Sequence, residues 1–268
     1  MKVAVVTDVH GNIHALDAVL QDIENESVDE IVVAGDTVNI MPGSKACWDR
    51  VVALGCPVLK GNHEHYLTTY GTPEAAPEWS QERFKGLGWL QGHFSKSDLE
   101  ALRALPMTYS LPDLLVTHAS HRSLFDSVEP ETPMSRVLEL FGEIEEPLIV
   151  RGHNHKWLEH HWWGHTLITV NSCGLPLTGV RDAPYLLLEL RDIWHVEKRQ
   201  VPYDVDAALA TMNESYLEQM GPLGPLFRRE LKTARNHLMP FLAQYLQAVD
   251  SGELTLTHAV ERFLTETA

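Results

Sequence analysis

Residues 1–12, MKVAVVTDVHGN, decide the fold because a short apolar run is followed at once by polar side chains. Val3 to Thr7 has the β-branched composition of a buried strand, and Asp8 and His10 come directly after it. The same pattern returns in four further segments: IVVAGD at 31–36, PVLKGNHE at 57–64, LLVTH at 114–118 and LIVRGHNH at 148–155. Since ligands of open α/β sheets bind beyond the carboxyl ends of strands, the five segments predict one polar site at a sheet edge.

The first half of the chain alternates these strands with helices. Apolar residues recur at helical spacing after the first polar segment, which predicts an amphipathic helix containing Ile13, Leu16, Val19, Leu20 and Ile23. A second helix is predicted around Ala46 to Leu54 and a third near Met134 to Phe141. Two strands are expected to flank the Pro112-Asp113 turn. The chain therefore begins as a βαβαβ unit.

Two later segments follow other patterns. Residues 71–97 mix Pro, Gly and polar residues with Trp79, Phe84, Trp89 and Phe94, and they predict a partly helical excursion near the site. From residue 157 the pattern changes to two hairpins, 157–163 with 166–171 and 185–190 with 195–201, so the second half is expected to be antiparallel.

Length and composition favour one main domain with an appended element. The chain has 268 residues, 44% of them hydrophobic, so residues 1–203 can bury one sizeable core. Residues 204–268 return to helical periodicity with a break at 221–225, and they predict a helical extension packed on the core, on a neighbouring chain in a homo-oligomer, or over the site.

Charge and cysteine usage limit the partners and the compartment. The net charge is -16 and no long run of Lys or Arg occurs, which disfavours stable binding to nucleic acid. Cys47, Cys56 and Cys173 form no CxxC pair, so they predict buried thiols in a reducing compartment. No apolar run reaches the roughly 18 residues of a membrane span. We expect a cytoplasmic protein without membrane association.

The residue types after the strands are those of a transition-metal site. Asp8 and His10 combine a hard oxygen with an imidazole, as His153 and His155 pair two imidazoles at the same spacing. This mixture suits Mn, Fe or Zn rather than Ca. A lone His is more often structural than a ligand, but that alternative must explain every cluster at once.

The remaining polar residues of these segments complete the predicted site. Asp36 offers a carboxylate that can bridge two cations, while Asn62 offers an amide oxygen and His118 a further imidazole. His63 must point away from Asn62 because neighbouring side chains diverge. His63 is therefore a candidate general acid rather than a ligand.

In this order the segments resemble the motifs DxH, GD, GNH(D/E), a lone His and GHxH of the calcineurin-like metallophosphoesterases. The matching stretches, which lie within roughly residues 1–200, are TDVHGN, AGD, KGNHE, THAS and RGHNH. The resemblance implies an α/β (α+β) fold, a four-layer αββα sandwich of two mixed sheets flanked by helices. Residues 171–176, NSCGLP, also look like the Asn-Pro/Ala-Gly-Ser turn of the small bacterial phosphodiesterase branch.

The same resemblance implies the cofactor and the reaction. Asp8, His10 and His155 would bind one ion, Asn62, His118 and His153 would bind a second, and Asp36 would bridge them. Two divalent transition metals are expected, Mn or Fe first and Zn or Ni as alternatives. They would activate water for in-line attack on a small phosphate ester or nucleotide, and His63 would protonate the leaving group.

One departure from the family pattern bears on the substrate. In the phosphoprotein phosphatase branch the GD motif continues with an Asp that orients the catalytic His and an Arg that grips phosphate. This chain has Asn39 and Ile40 there. Asn39 can still accept a hydrogen bond from His63, but Ile40 cannot bind phosphate. A phosphodiester is therefore favoured, with Lys60 and Arg151 as candidates for additional positive charge.

The sequence leaves open the role of two residues and three alternative functions. Asn12 and His14 are candidates for substrate contact because they follow the first motif, although His14 also suits an ordinary helix position. The alternative functions are a phosphomonoesterase, a nucleotide pyrophosphatase, and a non-catalytic scaffold on the same fold.

Overall fold

Nine strands form two mixed sheets in the computed structural model, which describes all 268 residues. From edge to edge the first sheet contains Glu30–Val33 (β2), Lys2–Val6 (β1), Ala183–Leu190 (β8) and Trp194–Val201 (β9). The second contains Thr108–Leu111 (β3), Leu114–Thr117 (β4), Leu148–Arg151 (β5), His165–Thr169 (β7) and Leu158–Trp162 (β6). Strand β1 is parallel to β2, and β5 is parallel to both β4 and β7.

Eleven α-helices surround the sheets. In the first part of the chain they are Ile13–Glu26 (α1), Ser44–Leu54 (α2), Asn62–Thr69 (α3), Lys85–Gln91 (α4), Lys96–Ala104 (α5) and Met134–Phe141 (α6). The C-terminal part contains Val205–Thr211 (α7), Glu214–Met220 (α8), Gly224–Thr233 (α9), Leu238–Asp250 (α10) and Leu256–Glu266 (α11). None of the helices combines the length and hydrophobicity needed to cross a bilayer.

Alternation along the strands sorts the apolar residues into layers. In β1, Val3 and Val5 face the second sheet, whereas Ala4 and Val6 face α1 on the outer side. Strands β4 and β5 divide in the same way between the intersheet core and α6. Both faces of each sheet are therefore covered, and the four-layer αββα sandwich predicted from the sequence is confirmed.

Helix α1 forms where the sequence pattern predicts it. Asn12 caps its first turn by accepting a hydrogen bond from the Ala15 N–H, at 3.1 Å between O and N. Its buried face is Ala15, Leu16, Val19, Leu20 and Ile23. Helix α6 has the predicted bounds, Met134–Phe141. The three cysteines are free thiols, and only Cys56 is partly exposed.

Two predictions about strand pairing are wrong. The run at residues 57–59 is extended but forms only one bridge, Val58 with Val33, because it lies outside the edge strand β2. The second half is not wholly antiparallel either. Strand β7 joins the second sheet parallel to β5, while β8 crosses to the first sheet beside β1. Hairpin signals report local pairing, and they carry no information about which distant strand each hairpin joins.

The C-terminal helices share a core with the rest of the chain. Leu209, Met212, Tyr216 and Leu231 pack in one buried cluster with residues of the 38–102 region, among them Val38, Met41, Trp48 and Leu67. Helices α9, α10 and α11 also enclose a smaller cluster of their own around Phe241 and Phe263. The segment 204–268 thus covers apolar surface that residues 1–203 cannot bury alone.

We predict that truncation after Tyr203 produces an aggregating or self-associating protein. Removal of the five C-terminal helices would expose Met41, Trp48 and their neighbours to water, and contiguous apolar patches of this kind drive association. Size-exclusion chromatography with light scattering measures the outcome. A monodisperse, folded 1–203 fragment would contradict the shared core.

A point variant tests the same contact in the intact chain. Met212 is 1% exposed, so Met212→Ala should lower the free energy of unfolding by about 2–4 kcal/mol. Met239 is 59% exposed, and Met239→Ala should change that free energy by less than about 0.5 kcal/mol. Equal effects of the two substitutions in thermal denaturation would refute the explanation.

Candidate metal centre

The five polar segments converge at the carboxyl ends of the strands, as the sequence predicts. The loops after β1, β2, β4 and β5 and the start of α3 bring together all seven predicted ligands: Asp8, His10, Asp36, Asn62, His118, His153 and His155. Four of these residues are at most 1% exposed, and Asn62 is 6% exposed. Such a set of polar groups is removed from water only when partners satisfy it.

The first donor set consists of Asp8, His10 and His155. Nε2 of His155 lies 3.3 Å from Oδ1 of Asp8 and 2.8 Å from Nε2 of His10. The distance from Nε2 of His10 to the same carboxylate oxygen is 3.8 Å. Three donor atoms therefore surround one point, with spacings suited to a single cation.

The second donor set consists of Asn62, His118 and His153. Oδ1 of Asn62 lies 3.0 Å from Nε2 of His118 and 2.9 Å from Nδ1 of His153. The two imidazole nitrogens are 3.3 Å apart. The amide oxygen and the two ring nitrogens thus enclose a second point.

Asp36 lies between the two sets. Its Oδ2 is 3.3 Å from Nε2 of His118 in the second set and 3.8 Å from Nε2 of His10 in the first. Its Oδ1 accepts a hydrogen bond from the backbone N–H of His63 at 2.8 Å, which fixes the carboxylate plane. This carboxylate therefore lies within 4 Å of a ring nitrogen of each donor set.

Backbone carbonyls fix the orientation of three of the four imidazoles. Nδ1–H of His10 donates to the Asn39 carbonyl at 3.1 Å, and Nδ1–H of His118 donates to the Ala34 carbonyl at 2.9 Å. His155 makes the equivalent bond to the Leu175 carbonyl at 2.8 Å. With Nδ1 used in this way, Nε2 of each ring turns its lone pair to the centre, as in metal-binding histidines.

This arrangement fits a pair of cations and is unfavourable without positive charge. The Nε2 atoms of His10 and His155 face each other at 2.8 Å although neither neutral ring has a proton there. Around Asn62 the amide oxygen likewise faces two ring nitrogens. Lone pairs held this close repel one another unless a proton or a metal ion lies between them.

The pKa shifts indicate the same demand for positive charge in each half. Burial disfavours the charged form of His118, but the Asp36 carboxylate outweighs it and raises the pKa of His118 to about 9. Burial also opposes protonation of His155, yet its hydrogen bond with Asp8 raises the pKa of this ring. Burial lowers the pKa of His153 to about 3. The raised pKa values of His118 and His155 both result from the buried carboxylates, which make positive charge favourable beside each donor set.

Backbone strain is concentrated at this site. Seven of the eleven non-glycine residues with positive φ belong to it: Asp8, His10, Asp36, Asn39, Ile40, His153 and His155. At Ile40 φ is 96°, which is a marked outlier for a β-branched side chain. Each such residue costs on the order of 1–3 kcal/mol, a cost that packed surroundings sustain at functional sites.

Close backbone contacts hold the strained loops together. A Cβ atom on Gly152 would lie 2.0 Å from Oγ1 of Thr7 and 2.4 Å from Oδ2 of Asp8, so only glycine allows this approach. Ser172 donates its hydroxyl to the Asp8 carbonyl at 2.7 Å. Gly174 N–H donates to the same carbonyl at 3.0 Å. The 171–176 segment therefore fastens the loop that carries Asp8 and His10.

His63 begins α3 beside the donor sets. Its Nε2 is 3.9 Å from Oδ2 of Asp36, and the side chain is 19% exposed. Burial lowers the pKa of His63, with the Asp36 charge acting in the opposite direction. His63 also forms a three-residue group with His10 and Asp36 that could hold an ion, so its proximity alone is compatible with ligation or proton transfer.

Asn39 contacts His63 with the opposite polarity to the prediction. Nδ2 of Asn39, a donor, lies 2.9 Å from Nδ1 of His63, where the sequence predicts that the Asn oxygen accepts. A half-turn of the amide would exchange the two atoms. In the orientation of the structure Nδ1 is the acceptor, so the proton of the neutral ring resides on Nε2, which faces the centre.

Glu64 is a site residue that the motif reading did not assign a role. Its buried carboxylate accepts hydrogen bonds from the backbone N–H groups of Gly61, Asp36, Thr37 and Val38, at 2.7 to 3.2 Å. Burial, reinforced by the Asp36 charge, raises the pKa of Glu64 to about 7. A Glu three residues after the residue that caps a helix is the signal of a capping box, and here the box reaches across to the Asp36 loop.

Asn12 and His14 do not line the cavity at the metal centre. Asn12 is 2% exposed and donates from Nδ2 to the Gly174 carbonyl and the Tyr203 hydroxyl, so its amide supports two loops. His14 is half-buried on α1. A substrate-binding role for Asn12 would require breaking these bonds, because its polar atoms are already used.

Neither proposed source of extra positive charge reaches the site. Arg151 is fully buried, and its guanidinium donates to the Ala119 and Asp126 carbonyls and to Oδ1 of Asn154. Lys60 donates to the Arg103 carbonyl and does not line the cavity. Motif position suggested these residues, but burial and partner choice, which the sequence does not reveal, direct them elsewhere.

The donor atoms open into a cavity of about 680 Å³. One side is the metal centre, and Trp79 and Phe84 of the 71–97 excursion contribute part of the rim. Trp89 and Phe94 pack elsewhere in the core. Seven apolar residues of the C-terminal part also line this cavity, and we call them the apolar wall: Met220, Leu223, Phe227, Leu238, Met239, Leu242 and Leu246.

Comparisons with known proteins give a family and similar structures. A family model described as calcineurin-like phosphoesterase matches residues 1–167. An uncharacterized protein of Methanocaldococcus jannaschii is 25% identical over 227 residues, 77% of this chain and 89% of that protein. A metallophosphoesterase from Sphaerobacter thermophilus has a similar structure, with a TM-score of 0.71 and 24% identity over 87% of this chain and all of the other. A hypothetical protein from Pyrococcus horikoshii gives a TM-score of 0.66 at 18% identity, covering 82% and 97% of the chains.

We predict that the intact chain binds about two transition-metal ions and that Asp36→Asn weakens both. The shared carboxylate contacts both donor sets, so its loss removes charge from each. Elemental analysis after dialysis measures the ions retained per chain. Asp22→Asn is the matched control, since that carboxylate pairs with Arg199 away from the centre. Retention of two ions by Asp36→Asn would exclude the bridging position.

Proposed function

Because the chain belongs to the calcineurin-like phosphoesterases, a family that uses divalent metals, we propose that it is a dinuclear metal-dependent phosphodiesterase of small organic phosphates. The observation that carries the proposal is the pair of donor sets around Asp36, with His63 beside them. Mn or Fe is the proposed metal, with Zn or Ni as alternatives.

The residues present match what a two-metal hydrolase requires. Asp8, His10 and His155 would hold one ion, Asn62, His118 and His153 the other, and Asp36 both. When bound, the ions supply Lewis acidity toward phosphoryl oxygens and lower the pKa of coordinated water. The chain itself contributes rigid placement, because the backbone carbonyls and the strained loops leave the imidazoles little freedom to turn.

His63 is the proposed general acid. Its Nε2 faces the centre while Nδ1 is engaged by Asn39, so the ring is oriented by a second side chain. An acid needs a proton on the nitrogen that faces the leaving group, and the Asn39 contact favours that tautomer. A half-turn of the Asn39 amide would let its oxygen accept from Nδ1–H of the charged ring, whose lowered pKa makes it a stronger proton donor to a departing alkoxide.

The charges in the cavity favour a diester over a monoester. A monoester dianion calls for cationic clamps beyond the metals. Arg83 is the only Lys or Arg that lines the cavity, and its guanidinium pairs with Asp250 and lies over Phe84. Ile40 occupies the place of the phosphate-gripping Arg of the phosphoprotein phosphatases. A singly charged diester needs no such clamp.

His63→Ala should keep the metal content and lower kcat by about a hundredfold or more for esters with poor leaving groups. The loss should be smaller for 4-nitrophenyl esters, because nitrophenolate departs without a proton. Steady-state kinetics on a leaving-group series, with elemental analysis, measures both effects. His65→Ala is the control, since His65 packs against Tyr66, Trp79 and Phe125 and does not line the cavity.

Two results would contradict this role for His63. Equal losses on all leaving groups would exclude proton donation as its function. Loss of one ion would instead identify His63 as a ligand, in line with its distance from Asp36.

Mn-loaded protein should hydrolyse bis(4-nitrophenyl) phosphate with a higher kcat/KM than 4-nitrophenyl phosphate, and phosphopeptides should be poor substrates. The reason is the absence of a free cationic side chain in the cavity. A tenfold advantage of the monoester, about 1.4 kcal/mol of transition-state preference, would overturn the assignment. If the monoester is preferred, Arg83→Gln tests whether Arg83 binds its phosphate. In that event the substitution should lower kcat/KM for the monoester and leave kcat/KM for the diester unchanged.

A further inference from the structure

The apolar wall differs from an ordinary protein surface because it lines the same cavity as the candidate metal donors. Fourteen of the 29 residues that line the cavity are hydrophobic, and seven of these belong to the wall. Leu223 is 6% exposed, whereas Met239 at the mouth is 59% exposed, so the wall runs from the interior to solvent. A volume of about 680 Å³ lies within the range of small-molecule sites, roughly 300–1,000 Å³.

The wall is aliphatic, which distinguishes it from a nucleobase site. Six of its seven side chains are Leu or Met, and Phe227 is the exception. Bases stack on free aromatic faces. Trp79, the large aromatic residue of the rim, is 8% exposed and is packed edge-on against Tyr66 and His65. Phe84 is covered by the Arg83 guanidinium at 5.5 Å. Both rings therefore already have partners, and Trp79 is almost fully buried.

The charged groups of the cavity away from the metal centre are mainly acidic. Glu78, Glu129 and Glu230 line it, against the single Arg83. Glu129 is paired with Lys156, while Glu230 is 3% exposed and accepts hydrogen bonds from the N–H groups of His237 and Leu238 at the start of α10. A second phosphate or a carboxylate on the substrate would face these groups without a cationic partner.

From these observations we propose that the substrate is an amphiphilic phosphodiester, whose alkyl chain lies along the apolar wall while its phosphate lies at the metal centre. The proposal rests on the phosphodiesterase function and adds the chemical class of the organic group. The chain is aliphatic because Leu and Met line its path, and it carries no negative charge because the acidic lining would repel one. Dinucleoside polyphosphates fail on both counts, and a nucleoside phosphodiester fails on the first because its organic group is not aliphatic.

Burial of the chain gives a measurable dependence on length. Each methylene that leaves water contributes about 0.8 kcal/mol, or roughly fourfold in kcat/KM when it is fully buried. Partial burial in a cavity open to solvent reduces this factor. Between methyl and hexyl esters we therefore expect kcat/KM to rise at least about tenfold.

The test uses the full-length, Mn-loaded protein and alkyl 4-nitrophenyl phosphates with methyl, butyl and hexyl groups. Leu242→Trp places a bulky ring in the path of the chain and should abolish the kcat/KM advantage of the hexyl ester over the methyl ester. Ala243→Trp adds the same ring to the exposed side of α10 and should preserve the advantage. If Leu242→Trp does not fold, Leu246→Trp, one helical turn further along α10, should likewise abolish the advantage of the hexyl ester.

The outcomes separate this inference from the function on which it rests. If the methyl ester is hydrolysed and kcat/KM does not rise for the hexyl ester, the proposal of an amphiphilic substrate fails while the phosphodiesterase function stands. A higher kcat/KM for thymidine 5′-(4-nitrophenyl phosphate) than for the hexyl ester would have the same meaning. If no diester is hydrolysed, the phosphodiesterase proposal fails and binding decides the inference. Calorimetry should then give hexylphosphonate at least about tenfold tighter binding than methylphosphonate, and equal affinities would overturn it.

Discussion

The structure depends on the mutual repulsion of electron-rich side chains that it holds in contact. Lone pairs of His10 and His155 face each other at 2.8 Å, the Asp8 carboxylate lies within 4 Å of both rings, and the Asp36 carboxylate lies within 4 Å of His10. No element of the fold gains stability from this contact in the absence of positive charge. The neighbouring loops, caps and layers must therefore provide the free energy that keeps these groups together.

That free energy comes from rigid elements on each side of the loops. Two apolar layers and an intersheet core fix the strands, and each strained loop spans only a few residues between a strand and its next contact. Glu64 ties the loop of Asp36 to α3 with backbone hydrogen bonds, while Ser172 and Gly174 tie down the loop of Asp8. Preorganisation of this kind lets ions bind without ordering the chain first.

The sequence predicts the convergence of these polar side chains because the signal is local. A β-branched run followed by a polar cluster identifies both the strand end and the ligand, as at Asp8 and Asp36, and no distant partner needs to be known. The layered fold follows from the same alternation. Pairing of β7 with β5 and of β8 with β1 joins residues far apart in the chain, so hairpin signals could not predict it. The burial of Arg151 and the hydrogen-bond partners of Asn12 could not be predicted for a related reason, since they depend on what packs around each residue. The apolar wall has ordinary helical periodicity, which does not distinguish a face toward a cavity from one toward a core.

The chain separates its two tasks along its length. Every candidate metal donor lies between residues 8 and 155, whereas the apolar wall comes from residues 220–246. Substitutions in the wall alter the shape offered to the organic group without touching a donor atom, and most of them leave the strained loops intact. Selection can therefore redirect such a protein toward a new ester while the reacting centre stays the same. Recombination that replaces only the last quarter of the gene would therefore be a short evolutionary route to a different substrate specificity.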